Sequence, residues 1–310
     1  MARRKGGKKS LRQVTHKNNS FNLDKFSQAD LRTWQRMSDS LEEYHVGLFY
    51  YLEGLRQLHH NDLCKALRSA TPAKITMLRW VRIVDYKHSL EPLSSKGSLV
   101  KGGRFNIGND IDPGKFPSFP ALYIAKNYDT AYLEKFGEPD SIRGDVLSGH
   151  ELALRKPSSF SSLNISGQLN NLFDLSQPAN LRAFGKIISK FKMPTELKVL
   201  ANTLGIKPPW LISKSSLLKQ NLMATNWREW PVQFQIPANP QVFGRLVMDA
   251  GFDGVLYQST RANSKCMAIF PTNIDGSDSY VELADEPPNG VIYTRLDTNT
   301  SRDLIKVSLN

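Results

Sequence analysis

Ala121-Leu122-Tyr123-Ile124-Ala125-Lys126-Asn127-Tyr128-Asp129-Thr130-Ala131-Tyr132-Leu133-Glu134 is the stretch from which the fold is read. Its first five residues have the composition of a strand. Side chains alternate across a strand, so Tyr123 points away from the side taken by Leu122 and Ile124. Asp129 then reads as the cap of a short helix that carries Glu134. A strand feeding a helix in this way brings a phenol and a carboxylate to one cleft. Taken singly, a strand tyrosine is most often a core aromatic and a helix glutamate a surface charge.

Upstream stands Lys101-Gly102-Gly103-Arg104-Phe105-Asn106. Two glycines let the backbone come close to whatever the next residue binds. The planar fork of Arg104 suits a phosphate group, to which it donates two parallel hydrogen bonds. A glycine turn with an exposed arginine is weak by itself. Earlier still, Met77–Tyr86 is rich in Val, Ile and Trp and reads as a strand through Trp80-Val81-Arg82-Ile83-Val84. Downstream, Gly251-Phe252-Asp253-Gly254-Val255-Leu256-Tyr257-Gln258-Ser259-Thr260-Arg261 ends a helix, turns and runs through a strand, leaving Ser259 at the strand end. No histidine stands in a matching motif, so Ser259 reads as a hydrogen-bonding group and not as the nucleophile of a triad.

Further strands are expected over Val146–Leu154, Gly254–Tyr257, Cys266–Phe270 and Val291–Leu296. Between Pro157 and Trp230 the pattern is helical, with Leu181, Phe184, Ile187, Ile188 and Phe191 on one face, then Leu197, Leu200 and Leu204 after Pro194. A helix from Pro240 stops at Ala250-Gly251, where glycine adopts the left-handed conformation. At the other end, Leu31, Trp34, Met37, Leu41, Tyr44 and Leu48 recur at helical steps from a cap at Ser27, with Gly47 and Gly54 as points of interruption, and a second helix covers Asn61–Ser69. Short strands that do not alternate with long helices favour a mixed α+β domain over a doubly wound parallel sheet.

Of the net charge of +12, seven positive charges precede the first acid, Asp24. This lysine- and arginine-rich start has almost nothing apolar to offset the entropy of ordering, and it suits weak contact with nucleic acid or a membrane surface. The chain shows no transmembrane run and no apolar signal-peptide segment. Cys64 and Cys266 are the only cysteines and stand far apart, which fits a reducing compartment. No metal is expected: the histidines form no ligand cluster, and His150-Glu151 lacks the second histidine of a zinc-protease helix. Gly103 and Gly108 have P-loop spacing, but Asn109-Asp110 follows where that loop needs Lys and Ser or Thr.

Four pieces in one order, Gly102-Gly103-Arg104-Phe105-Asn106, Leu122-Tyr123-Ile124-Ala125, Thr130-Ala131-Tyr132-Leu133-Glu134 and Ala250-Gly251-Phe252-Asp253-Gly254 through Ser259 to Ala268-Ile269-Phe270-Pro271, resemble the RES-domain family. That resemblance implies an ADP-ribosyltransferase-like fold, a split mixed β-sheet core with flanking helices, here with an added N-terminal helical region. Taken with the composition and periodicity above, which alone speak for the residues before Leu78, it divides the chain into a basic tail at 1–24, helices at 25–75, a catalytic domain at 76–275 with a helical insert at about 157–230, and a C-terminal extension with a strand at 276–310.

The family includes bacterial toxins that degrade NAD. The resemblance therefore implies NAD+ as substrate and Arg104, Tyr123, Glu134 and Ser259 as the working residues, with Arg82 as a second phosphate contact. Nicotinamide leaves as a neutral pyridine, so a single carboxylate can serve without a general acid. Water as acceptor makes a glycohydrolase, inorganic phosphate a phosphorylase, and a protein side chain a mono-ADP-ribosyltransferase. A basic nucleic-acid-binding protein with an inactive fold is the remaining alternative. The resemblance further implies an antitoxin or immunity protein encoded separately; a cytoplasmic site of action is expected, with delivery by a secretion system that uses no classical signal peptide, since the N-terminus has no apolar signal segment.

Overall fold

The computed structural model describes residues 28–137, 159–206 and 215–306. The basic tail with its cap at Ser27, and the strand expected over Val146–Leu154, lie outside the described residues. Seven strands form one sheet: β1 (Ala73–Asp85), β2 (Leu122–Ala125), β3 (Phe160–Asp174), β4 (Gly254–Gln258), β5 (Lys265–Ile269), β6 (Tyr280–Leu283) and β7 (Arg295–Leu296). Their order is β1-β2-β5-β4-β3-β6-β7, and β1 also pairs with β3. Five strands therefore close on themselves, and β6 and β7 branch from the long strand β3. Among the described strands every pairing is antiparallel except that of β3 with β4.

Alternation gives the sheet two apolar faces. Leu122, Ile124, Ile165, Leu169, Leu256, Met267 and Ile269 point to one, where Trp80 and Leu93 join them. Ala121, Ala125, Phe173, Val255, Tyr257, Cys266 and Ala268 point to the other, with Tyr123 packed against them. Helices cover this second face: Phe243, Leu246 and Val247 of helix Asn239–Asp249, Leu63 and Leu67 of helix His60–Arg68, and Phe184 of helix Arg182–Ile188 all belong to the same cluster. The N-terminal helix runs unbroken over Gln28–Leu58, through both Gly47 and Gly54. At Gly47 an added Cβ would stand 3.3 Å from Leu197 of helix Thr195–Thr203, so the glycine serves helix packing instead of interrupting the helix. Gly251 ends helix Asn239–Asp249 at φ +87°, the left-handed conformation expected there.

Three expectations give way. Residues 160–174, assigned to a helical stretch from Pro157, form β3, the strand that joins the two halves of the sheet; helices Arg182–Ile188, Thr195–Thr203, Ser215–Leu222 and Glu229–Phe234 do follow. The C-terminal extension supplies a strand the sequence did not suggest, β6, whereas of Val291–Leu296 only Arg295 and Leu296 are strand. The cap of helix Tyr128–Phe136 is Asn127, whose side chain accepts the Thr130 N–H at 3.0 Å, and Asp129 falls inside the first turn.

Candidate active site

The loop carrying Arg104 is fastened by buried polar groups. Asn106 is fully buried; its Oδ1 accepts the Gly103 N–H at 2.8 Å and the Tyr123 hydroxyl at 2.9 Å, and its Nδ2 donates to the carbonyls of Ser98 and Phe119. The Tyr123 oxygen in turn accepts the Phe105 N–H at 2.9 Å. Gln241 donates to the carbonyls of Gly103 and Asn106 from the covering helix. Gly103 is needed because the tyrosine lies against it: an added Cβ would come within 2.4 to 2.6 Å of the phenol ring. The close approach that glycine permits is thus to Tyr123. Burial pushes the Tyr123 phenol well above its ordinary range, partly opposed by the Phe105 N–H and by the charges of Arg228 and Arg104.

Strand register brings the other residues to the same face. Tyr123 pairs with Ala268, which pairs with Val255, and Ala125 pairs with Cys266, which pairs with Tyr257. Tyr123 and Tyr257 therefore share a face, and Ser259, two residues beyond Tyr257, keeps that parity. Ser259 is 7% exposed, and its hydroxyl donates to Glu134 Oε1 at 2.5 Å while accepting the N–H groups of Arg261 and Ala262, both at 3.0 Å. The helix bearing Glu134 is anchored to β1 by Lys135, 2.8 Å from Asp85.

Arg104 is buried and donates from Nη1 to the carbonyls of Ala224 at 2.7 Å and Leu222 at 3.4 Å, and from Nη2 to Thr260 Oγ1 at 3.3 Å. Burial lowers its pKa, countered by the neighbouring Tyr257, Glu134 and Tyr123. Four of the expected residues, Arg104, Tyr123, Glu134 and Ser259, thus converge. Arg82 does not join them. Val81 and Ile83 face the cluster that holds Tyr123, so Arg82 falls on the opposite side of β1, and its guanidinium donates to three carbonyls, Pro92 at 2.8 Å, Ser94 at 2.8 Å and Tyr123 at 3.1 Å. Those bonds make it a staple between β1, β2 and the 92–94 loop in place of the phosphate contact expected of it. Burial lowers its pKa to about 10.

A family model described as the RES domain matches residues 79–288. The chain belongs to the RES domain family. Helices Gln28–Leu58 and His60–Arg68 lie outside the matched span of this RES protein. In three dimensions it is similar to a chain of the crystal structure of the M. tuberculosis MbcT-MbcA toxin-antitoxin complex, with 14% identity over 79% of this chain and 97% of that one and a TM-score of 0.38. Among curated proteins none matches it.

The motif residue Asp253 has a structural part in this RES fold. Its carboxylate, 2% exposed, accepts the Ser279 hydroxyl at 2.6 Å and the Asn171 N–H at 3.0 Å, tying the start of β4 to β3 and to the turn before β6. Thr260, Trp227 and Arg228 reach the site without having been singled out from the sequence. Thr260 directly follows Ser259, and the side chain of Trp227 lies close to those of both Arg104 and Arg228. Among the described residues no group of three or more His, Cys, Asp or Glu side chains is placed to hold a metal ion, and no helix is long and apolar enough to cross a membrane.

Proposed function

We propose that this RES protein cleaves the nicotinamide-ribosyl bond of NAD+, with water or inorganic phosphate as acceptor, and consumes NAD+ as a toxin-like enzyme. The observation that carries the reading is the 2.5 Å hydrogen bond from Ser259 to Glu134 beside the buried Arg104. A carboxylate held in one orientation, next to a fixed cation, suits a substrate that develops positive charge at a ribose carbon and carries negative charge on its phosphates. Glu134 stabilises the oxocarbenium character of the breaking bond. Ser259 aims that carboxylate, and the backbone N–H groups of Arg261 and Ala262 hold the serine. Arg104 supplies positive charge to the dinucleotide, while the Tyr123 hydroxyl holds the loop that carries Arg104 and its ring lies against Gly103 of that loop.

The substrate puts the site of action in the cytoplasm, and an enzyme that drains NAD+ calls for a separately encoded inhibitory protein. Purified protein incubated with NAD+, with and without inorganic phosphate, should release free nicotinamide, and Glu134→Gln should abolish the release. The ribosyl product distinguishes hydrolysis from phosphorolysis. NAD+ left undiminished over a wide range of enzyme concentrations overturns the reading, and label from NAD+ appearing on a defined protein band would replace it with ADP-ribosyl transfer.

A further inference from the structure

Trp227 and Arg228 lie in the segment between helices Ser215–Leu222 and Glu229–Phe234, and neither is used by the reaction as described above. Trp227 is 7% exposed, and its ring has the guanidinium carbon of Arg228 at 4.4 Å and that of Arg104 at 5.7 Å from its centroid. One indole therefore gathers two arginines. They differ in how their N–H groups are used. Arg104 spends three hydrogen bonds on the carbonyls of Leu222 and Ala224 and on Thr260. The guanidinium of Arg228 makes no hydrogen bond and no ion pair among the described residues, although burial lowers its pKa and the charges of Arg104 and Arg261 lower it further, against Tyr123 and Asp110, which raise it.

The charges around it do not balance. Arg104, Arg228 and Arg261 act on one another, and two carboxylates, Glu134 and Asp110, act on this group. Both carboxylates are engaged: Glu134 accepts from Ser259, and Asp110 accepts the Gly102 N–H at 2.9 Å. Arg228 is only half-buried, so its unused donors are open to solvent, and a third positive charge beside two others favours an anion that takes the place of that water. A guanidinium stacked on an aromatic ring keeps its N–H donors in the plane of the fork, directed past the ring, which is the geometry that grips two oxygens of one phosphate.

We propose that Arg228, stacked on Trp227 and flanked by Arg104 and Arg261, receives a phosphate group at the active site. Arg104 is the tethered member of this group and Arg228 the one whose donors the ligand satisfies. The phosphate is either the dinucleotide's own or a free inorganic phosphate that acts as acceptor. Both assignments of the source rest on NAD+ being the substrate; reception of a phosphate does not.

The test titrates the full chain with inorganic pyrophosphate and with inorganic phosphate while following tryptophan fluorescence, with Trp227→Phe identifying the signal of that indole. Losing charged hydrogen bonds to one phosphate corresponds to about a 10- to 100-fold loss of affinity in Arg228→Gln. A second arm compares NAD+ with nicotinamide riboside, which carries the same glycosidic bond and no phosphate. If Arg228→Gln lowers the preference for NAD+ over the riboside by about 10- to 100-fold, the arginine holds the dinucleotide's phosphate. If that preference is kept and the stimulation of nicotinamide release by inorganic phosphate is lost, it holds the acceptor. Should Arg228→Gln fail to fold, Arg228→Lys keeps the charge and loses the fork, and about a tenfold weaker pyrophosphate affinity is expected. Affinities for pyrophosphate and phosphate equal to those of the unmodified protein overturn the proposal. If NAD+ is not turned over at all, the pyrophosphate titration still decides the role of Arg228, so the two readings fail separately.

Discussion

Replacing Ser259 by alanine removes one hydroxyl with three hydrogen bonds, one donated to Glu134 at 2.5 Å and two accepted from the N–H groups of Arg261 and Ala262 at 3.0 Å. A hydrogen bond to a charged group contributes roughly 1.5–3 kcal/mol. If Ser259 acts by aiming Glu134 at the charge that develops in the transition state, the loss falls on the barrier. At about 1.4 kcal/mol per factor of ten, kcat should drop about 10- to 100-fold. The two N–H groups cost about 1 kcal/mol of stability when left without the serine oxygen, a small effect in a urea titration. The decisive measurement is a double-mutant cycle on single-turnover nicotinamide release. Residues that act as a unit are strongly non-additive, so Ser259→Ala should change little once Glu134→Gln is present. An unaltered kcat in Ser259→Ala, or the same fold-loss in both backgrounds, would refute the claim that the serine works through the glutamate.

Arg82→Ala should lower stability by about 2–4 kcal/mol in urea denaturation because three part-buried carbonyls lose a cationic donor; a raised KM with unchanged stability would restore the phosphate contact. Asp253→Ala should cost about 2–4 kcal/mol, since the Ser279 hydroxyl and the Asn171 N–H lose a buried acceptor, and an unchanged denaturation midpoint contradicts this. His45 is packed against Phe234 at 4.6 Å and Trp230 at 5.9 Å, and burial holds its pKa below the ordinary 6.5. The unfolded chain then takes the proton first on acidification. The stability this contact adds is full above 6.5 and is lost as pH falls through the lower folded value, so His45→Phe should flatten that part of the profile, and an equally steep acid loss in the variant would exclude His45 as its source.

What the sequence made legible depended on local periodicity. The strand of Leu122 to Ala125 and the helix after it follow from alternation and a polar turn, and Tyr123 sits on the face that alternation assigns. β3 was hidden by its own irregularities. Its inward positions run Ile165, Gly167, Leu169 and Leu172; the glycine shows no side chain, and the register shift opposite Ala73 and Ile75 moves the next apolar residue one step late. The visible residues at 165, 169 and 172 then carry helical spacing, and Asn and Gln between them lower any strand preference. Arg82 misled for a different reason. Its residue type fits phosphate, but only the face of the strand decides what it meets, and that depends on β2 and the 92–94 loop. Trp227 and Arg228 belong to no recurrent spacing. A tryptophan next to an arginine in an otherwise polar stretch was the available signal, and without the fold nothing tied it to Arg104.

The hydrogen bond between Ser259 and Glu134 joins residues 125 apart in the chain, and that between Arg104 and Ala224 joins residues 120 apart. Contacts of this separation carry their loop-closure cost before any local structure repays it. During synthesis the N-terminal helices, β1, β2 and the helix of Glu134 all emerge from the ribosome well before the serine that completes the pair. A nascent or truncated chain can thus hold folded segments and still lack the aimed carboxylate. The pairing of serine and glutamate on which the proposed activity rests therefore begins only once both ends of this long span of chain have folded together.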